Sequence, residues 1–462
     1  MSRAPARRPA RRVATDPARQ AAYDVLSAVR EQGAYTNLVL PPLLRARGIT
    51  GRDAAFVTEL VSGTIRRRGT YDAVLATLVD RPLTKVDPPV LDLLRLGSHQ
   101  LLSMRVPSHA AVGTTVDLVR AVVGHGPAGF VNAVLRKVAG HDLEGWLRRV
   151  APDPGADPTG FAGVAHSHPR WVVEELARAL GDADELEALL AADNAAPRVV
   201  LAARPGLAGV EELVAAGGRP LAVSPCAVEL PGGDPGEVPA VAEGRAGVQD
   251  AGSQAVALAL AAAPVEGDDR RWLDLCAGPG GKTALLAAVA AQRGARVLAA
   301  ELAPHRARLV ATATRATGAG MLGVLTADGT RPAWHDAGFD RVLVDAPCTG
   351  LGALRRRPEA RWRRSPADVE TLVALQRALL TTALRAVRPG GLVGYVTCSP
   401  VLAETTGVIS AVLADRDDVH LEDARPLVAA DRCDGPLEGT VQLWPHRHGT
   451  DAMFLALLRR AG

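Results

Sequence analysis

Apolar positions recur at helical spacing through the first third of the chain. Val25, Leu26 and Val29; Val90, Leu91 and Leu94; Val112, Val116, Val119 and Val123; and Phe130, Val131, Val134, Leu135 and Val138 each mark one face of a helix. Asp16-Pro17 and Asp87-Pro88 each pair a capping side chain with proline at a first helical position. The stretch 151–160, rich in Ala, Pro, Asp and Gly, breaks this period and reads as a linker. A helical segment follows at about 169–193, and short apolar runs such as Val199-Val200-Leu201 then alternate with Gly/Pro turns. From Val248 onward strand and helix patterns alternate, with strands expected at 272–276, 296–300, 322–326, 341–344 and 392–396. Runs at 419–421 and 453–458 add strands at the sheet's edge. Such alternation predicts a parallel sheet covered on both faces.

The predicted organisation is therefore multi-domain. It comprises a basic, disordered arm at 1–15, an all-α domain at 16–145 and a linker at 146–165. A small α+β connector follows at 166–245, and an α/β Rossmann-like domain at 246–462. At 462 residues and 48% hydrophobic, the chain can build several cores. The net charge of +3 implies no large single-sign field, although Arg3, Arg7, Arg8, Arg11 and Arg12 suit either phosphate contacts or a solvated terminus. Five cysteines in so long a chain make no disulfide framework. No stretch reaches the roughly 18 apolar residues of a membrane span, so a cytoplasmic protein with free thiols is expected.

Carboxyl ends of parallel strands gather on one rim, where ligands bind. Asp274, Glu301, Asp328, Asp345, Cys348 and Cys398 are predicted at or just beyond it. Between them lies the loop Cys276-Ala277-Gly278-Pro279-Gly280-Gly281-Lys282, which holds one of only three lysines, the others being Lys85 and Lys137. It is no phosphate-binding P-loop, because that motif needs glycine where Cys276 stands, and it lacks the spacing of a dinucleotide fingerprint. A tight strand-to-helix turn remains, open to a ligand against its backbone or serving only helix–sheet packing. Glu301 ends the next strand, where an acid takes ribose hydroxyls in nucleotide-binding sheets, and Asp328 is placed to accept from an adenine amino group.

Two thiols at neighbouring strand ends suit methyl transfer to an unactivated ring carbon. Cytosine C5 is too poor a nucleophile to attack a sulfonium methyl group until a thiolate has added at C6. A base must afterwards strip the C5 proton so that the thiol can leave. The plainer reading of either cysteine is a small buried hydrophobe.

These segments resemble a known family. Gly247-Val248-Gln249-Asp250 to Gln254, the Cys276–Thr283 loop, 345–350, 354–359 and Thr397-Cys398-Ser399 resemble the RNA cytosine-C5 methyltransferases that use S-adenosylmethionine. The helical segment 16–140, with Phe130–Arg136, is similar to the NusB-like RNA-binding domain. Together they resemble bacterial small-subunit (16S) rRNA methyltransferases of the Sun/RsmB type over nearly the whole chain. Gly278 departs from the family's commoner alanine, and the basic arm is not part of the pattern.

The resemblance implies Cys398 as nucleophile, Cys348 as the thiol for product release, and Asp345 near cytosine N3 and the methyl donor. Cys276 to Lys282, with Glu301, Asp328 and Asp345, would hold S-adenosylmethionine. Some local positive or dipolar group must favour the Cys398 thiolate, and Arg355 to Arg357 are candidates for that or for RNA phosphates. The expected partner is protein-free or immature small-subunit rRNA with its target base unpaired or flipped; no DNA, membrane or obligate protein partner is expected. tRNA or another rRNA cytosine is the near alternative, and an inactive RNA-binding assembly or antitermination factor the distant one. His166, His168, His446 and His448 read as surface-loop histidines without a metal, and Cys226 and Cys433 as structural.

Overall fold

The computed structural model describes residues 15–462. The arginines expected to form a basic arm fall at positions 3–12, outside the described residues. The described residues form two compact units, 15–173 with 357–359, and 174–356 with 360–462. Among the described residues no helix is long and apolar enough to cross a membrane.

The first unit is helical. Its principal core gathers Val74, Leu75, Leu93, Leu94, Val119, Val131 and Leu135, drawn from the faces that the helical period selects. Asp16 caps the helix Pro17–Glu31 by accepting from Arg19 N. Asp87 makes no such bond, so only the proline of the second pair begins its helix as expected. The segment expected as a linker is also different. It carries helices Leu143–Val150 and Pro158–Ala165, each capped by an aspartate, Asp142 and Asp157. Trp146 is buried there and donates to Val138 O at 2.8 Å. Thr70 Oγ1 donates to Val164 O at 2.6 Å, fixing the second helix to the bundle.

From Glu174 onward the expected connector belongs to the second unit. Its helical part breaks at Gly181 into Arg170–Leu180 and Leu186–Asp193. Four strands follow, β1 (Val200–Ala203), β2 (Arg219–Pro220), β3 (Ala227–Glu229) and β4 (Ala246–Val248), in the antiparallel order β2-β3-β1-β4. β4 lies past the expected boundary at 245, because it fills the free edge of β1 with Leu201 opposite Val248.

An eight-stranded sheet forms the rest. It contains β5 (Arg271–Asp274), β6 (Arg296–Glu301), β7 (Met321–Thr326), β8 (Phe339–Asp345), β9 (Val387–Thr397), β10 (Val419–Glu422), β11 (Val441–Gln442) and β12 (Phe454–Arg460). The order is β10-β12-β9-β8-β5-β6-β7, with β11 paired to β12. β5 to β9 are mutually parallel, as expected. β12 is not an edge strand: it inserts antiparallel between β9 and β10.

Successive side chains enter opposite cores. Trp272, Leu343, Leu392 and Val396 pack with helices Ala251–Ala262 and Gly281–Gln292. Leu273, Val342, Val344, Val393 and Tyr395 pack with helices Pro366–Ala386 and Thr406–Ala414. Burial on both faces is why these strands read as nearly continuous apolar runs. The chain runs outward from β5 through β6 to β7, then returns to β8 and β9, so the reversal lies between β5 and β8, where open α/β sheets bind ligands.

Candidate active site

β5 ends at Asp274 and the chain turns through the glycine loop into helix Gly281–Gln292. Leu275 N donates to Leu343 O and Ala277 N to Ala300 O, each at 2.9 Å, so the loop grows directly from the sheet. Gly280 has φ +111°, and a Cβ there would stand 2.8 Å from Ala313 Cβ and 3.0 Å from Val310 Cα, which excludes other residues.

Gly278 stands against the Glu301 carboxylate. Its N–H donates to Glu301 Oε2 at 3.0 Å, and a Cβ would come within 2.2 Å of that oxygen. The buried Glu301 carboxylate also accepts from Ala303 N at 3.0 Å, so it braces the loop as well as facing the rim. Asp328, just beyond β7, accepts from Thr330 N and Oγ1, and those bonds hold its carboxyl below the usual range.

Asp274 was placed on the rim by its strand but given no role. It is almost wholly buried, and burial, reinforced by Asp345's charge, pushes its carboxyl up to about 7. Its Oδ2 accepts from Thr283 Oγ1 at 2.7 Å, whereas its Oδ1 is buried without a hydrogen-bond partner. A carboxylate oxygen left unsatisfied beside a glycine turn is costly unless a ligand supplies a donor. That oxygen, the loop amides, and the acids of β6 and the β7 end fit a cofactor carrying an ammonium group, a ribose and an adenine. Cys276 is held well above its ordinary thiol value by burial and by Asp274, Asp345 and Glu301, so it stays an unreactive thiol in the loop.

The two remaining cysteines meet. Cys348, beyond β8, and Cys398, at the end of β9, place their Sγ atoms 3.5 Å apart. Gly352 N donates to Cys398 O at 2.9 Å and Ala452 N to Gly352 O at 2.8 Å, so the Cys398 main chain is pinned by two loops. Lys282 reaches the same place from the glycine loop, its Nζ 2.9 Å from Asp345 Oδ2. Burial opposes its charge, but Asp345 and the negative charge on Cys398 outweigh burial and raise it. Cys348 is pushed well above its ordinary value by its hydrogen bond to Cys398, then by burial and by the charges of Cys398 and Glu404.

Lys282 is thus a cation whose charge is coupled to Cys398, beside the arginines expected for that role. Arg355 and Arg356 are drawn to Asp250 and Asp451, with Arg356 Nη2 2.9 Å from Asp250 Oδ1. Arg357 lies over the Tyr35 ring in the first unit. Asp250 also caps helix Ala251–Ala262, and Gln254 ties that helix to Leu201 O of β1. We expect Lys282→Met to move the pH profile of Cys398 alkylation by iodoacetamide to higher pH, because an opposing charge that favours the thiolate is lost. Peptide mass spectrometry across a pH series checks this, and an unmoved profile would assign the activation elsewhere.

Other candidates recede. His168 is buried, and the helical-turn histidines 446 and 448 are bound in place rather than loose on the surface. His446 Nε2 lies 2.8 Å from Glu185, and His448 Nδ1 accepts from Trp444 N. Cys226 and Cys433 are buried, and burial raises both thiols. No group of three potential metal ligands forms among the described residues.

Residues 259–459 match the family model described as 16S rRNA methyltransferase RsmB/F, and residues 16–140 match the NusB family. The chain is 57% identical over 464 residues to a Mycobacterium tuberculosis protein named provisionally as a methyltransferase, covering 99% of each. It is 33% identical over 412 residues to the ribosomal RNA small subunit methyltransferase B of Sodalis glossinidius, covering 86% of this chain and 88% of that one. In fold it is similar to the crystal structure of PH0851, with a TM-score of 0.79 at 23% identity over 97% of this chain and 100% of that one. NSun6 from Pyrococcus horikoshii, solved with SFG, gives a TM-score of 0.55 at 17% identity over 64% and 98%.

Proposed function

Because the chain belongs to the RsmB/F family of S-adenosylmethionine-dependent RNA methyltransferases, we propose that it methylates C5 of a cytosine in small-subunit rRNA, through a covalent bond from Cys398 to C6. The observation that carries this reading is the 3.5 Å sulfur pair, with the Lys282–Asp345 ion pair held against it. Methyl transfer to oxygen or to an exocyclic nitrogen needs no thiol nucleophile; transfer to C5 needs one.

S-Adenosylmethionine, held by Asp274, Glu301, Asp328 and the loop Cys276–Lys282, supplies an electrophilic methyl group when bound. Lys282 favours the Cys398 thiolate, which adds to C6 and sends the C5–C6 electron pair toward C5 and, through the ring, toward N3 and O2. N3 takes a proton from solvent as charge is pushed there, and the Asp345 carboxylate, near the ring, accepts the hydrogen bond of the N3–H so formed. C5 then attacks, and a base removes its proton before Cys398 leaves by elimination.

The electrostatics order the two thiols in time. The leading causes that keep Cys348 protonated include its hydrogen bond to Cys398 and the charge on Cys398. Both vanish once Cys398 is a neutral thioether. Burial and Glu404 still raise the thiol, but with those two causes gone Cys348 ionises more readily after attack than before it, which supports its assignment to release.

Small-subunit rRNA as substrate is supported by the names of the relatives and by the NusB match. The target base must leave its stack to be reached, at a cost of a few kcal/mol, which an unfolded or protein-free region lowers. Mapping 5-methylcytosine in total RNA from cells with and without the gene tests the proposal. One small-subunit rRNA cytosine should lose its mark, and purified protein should restore it with labelled S-adenosylmethionine. Loss of the mark from tRNA instead would transfer the chemistry to that substrate, and binding without transfer would leave an RNA-binding factor.

A further inference from the structure

Glu404 is fully buried, six residues beyond Cys398, and has no part in the chemistry above. Its Oε1 accepts from Thr349 N at 2.7 Å and from Gln376 Nε2 at 3.1 Å. Its Oε2 accepts from Thr349 Oγ1 at 2.5 Å and from Ser399 Oγ at 2.6 Å. Thr349 directly follows Cys348, and Ser399 directly follows Cys398. Gln376 also donates to Pro347 O at 2.9 Å, on the other side of Cys348, and Tyr395 OH donates to Glu404 O at 2.8 Å.

One carboxylate therefore joins the residue after each thiol, with the Cys348 loop gripped on both sides. All four donors are neutral groups: a backbone amide, a carboxamide and two hydroxyls. A carboxylate buried on such terms is an expensive way to fill space, and an apolar side chain would pack there at lower cost. What it supplies is a fixed geometry, because four convergent short bonds leave the two loops little freedom to slide.

We propose that Glu404 is a positioning residue that holds Cys348 and Cys398 at the separation the methyl-transfer cycle needs, an inference that rests on the cytosine-C5 reading. Attack requires only Cys398, whereas release requires Cys348 to stand beside the same base. Loosening the clamp therefore harms release more than substrate binding.

The test uses the full chain with S-adenosylmethionine and small-subunit rRNA. Glu404→Ala should lower kcat by roughly 100-fold, the scale expected of a sub-ångström to ångström misplacement, while leaving KM for both substrates little changed. A covalent protein–RNA species should accumulate on denaturing gels. In a Cys348→Ala background the same substitution should cost less than it does alone, because the part of its effect that passes through that thiol is already lost. Glu404→Gln keeps the shape: its oxygen can face Thr349 N and Gln376, and the two hydroxyls can reverse to accept from its amide. It should recover most of the lost kcat, with the pH limb governed by Cys348 moved to lower pH because a nearby negative charge is gone.

Unchanged turnover in Glu404→Ala, or Glu404→Gln no better than alanine, overturns the proposal. Should the alanine variant fail to fold, Thr349→Val and Ser399→Ala each remove one arm, and full turnover in both is equally fatal. Phenylarsine oxide gives a readout independent of RNA, since it condenses with two adjacent thiols and releases water. Weaker arsenical capture in Glu404→Ala supports the clamp, and equal capture refutes it. An unchanged chain that methylates no cytosine would sink the functional reading alone.

Discussion

Cys398→Ala should reduce methyl transfer to rRNA by on the order of ten-thousand-fold or more, leaving no detectable product in a single-turnover assay. The size follows from the chemistry. Without the C6 bond the C5 position stays part of an aromatic ring, and no other described nucleophile is placed to substitute. Cys348 is the nearest thiol, but it is held protonated and lies on the loop assigned to release. The fold should survive, because the bonds that pin this strand end are main-chain ones, with Gly352 N donating to Cys398 O at 2.9 Å. RNA and S-adenosylmethionine affinities measured on the same preparation separate lost chemistry from lost binding. Residual transfer comparable to the unchanged chain would mean that the methyl group goes to an atom needing no covalent help.

The fold was legible wherever burial imposed a period. Strands β5, β6, β7, β8 and β9 lie within a few residues of expectation, because side chains that face two cores leave nearly unbroken apolar runs. Their order is not written in that pattern. β12 reads as one more apolar run, and only the complete sheet shows it antiparallel between β9 and β10. The segment 146–165 was misjudged for a related reason. Its Asp, Pro and Gly residues also suit a loop, and it is the burial of Trp146 and the cap at Asp157 that make the helices worth forming.

The site divides along the same line. Glycines, strand-end acids and both thiols stand in short motifs that can be read locally. Their pairings join residues far apart in the chain. Lys282 finds Asp345 63 residues away, and Arg356 is claimed by Asp250 at 106 and Asp451 at 95. A run of three arginines thus reads as available positive charge when two of the three are already spent on buried aspartates. Asp274 carried a usable signal, an acid at a strand end directly before a glycine loop, but its buried Oδ1, without a hydrogen-bond partner, is visible only in the fold.

Cys348→Ala should give the opposite phenotype to Cys398→Ala: slow product formation with a stable protein–RNA species retained on denaturing gels. Attack depends on the Cys398 thiolate, favoured by Lys282, and neither group is altered. Removing Cys348 also removes a hydrogen-bonding partner of Cys398, which leaves the attacking sulfur present and unmasked. After transfer the C5 proton has no thiolate to receive it, and β-elimination stalls with carbon still bonded to sulfur. The trapped species should carry the labelled methyl group, which distinguishes arrest after transfer from arrest before it. Cys348→Ser should trap as well, since an alcohol is far harder to ionise than a thiol at the same site. The double variant lacking both thiols should show no adduct at all, because the bond that Cys348 serves to break is never made. Normal turnover without adduct in Cys348→Ala would mean that another base takes the C5 proton. The 3.5 Å approach of the sulfurs would then serve to restrain Cys398 until substrate arrives, and the order of events inferred from their mutual titration would have to be given up.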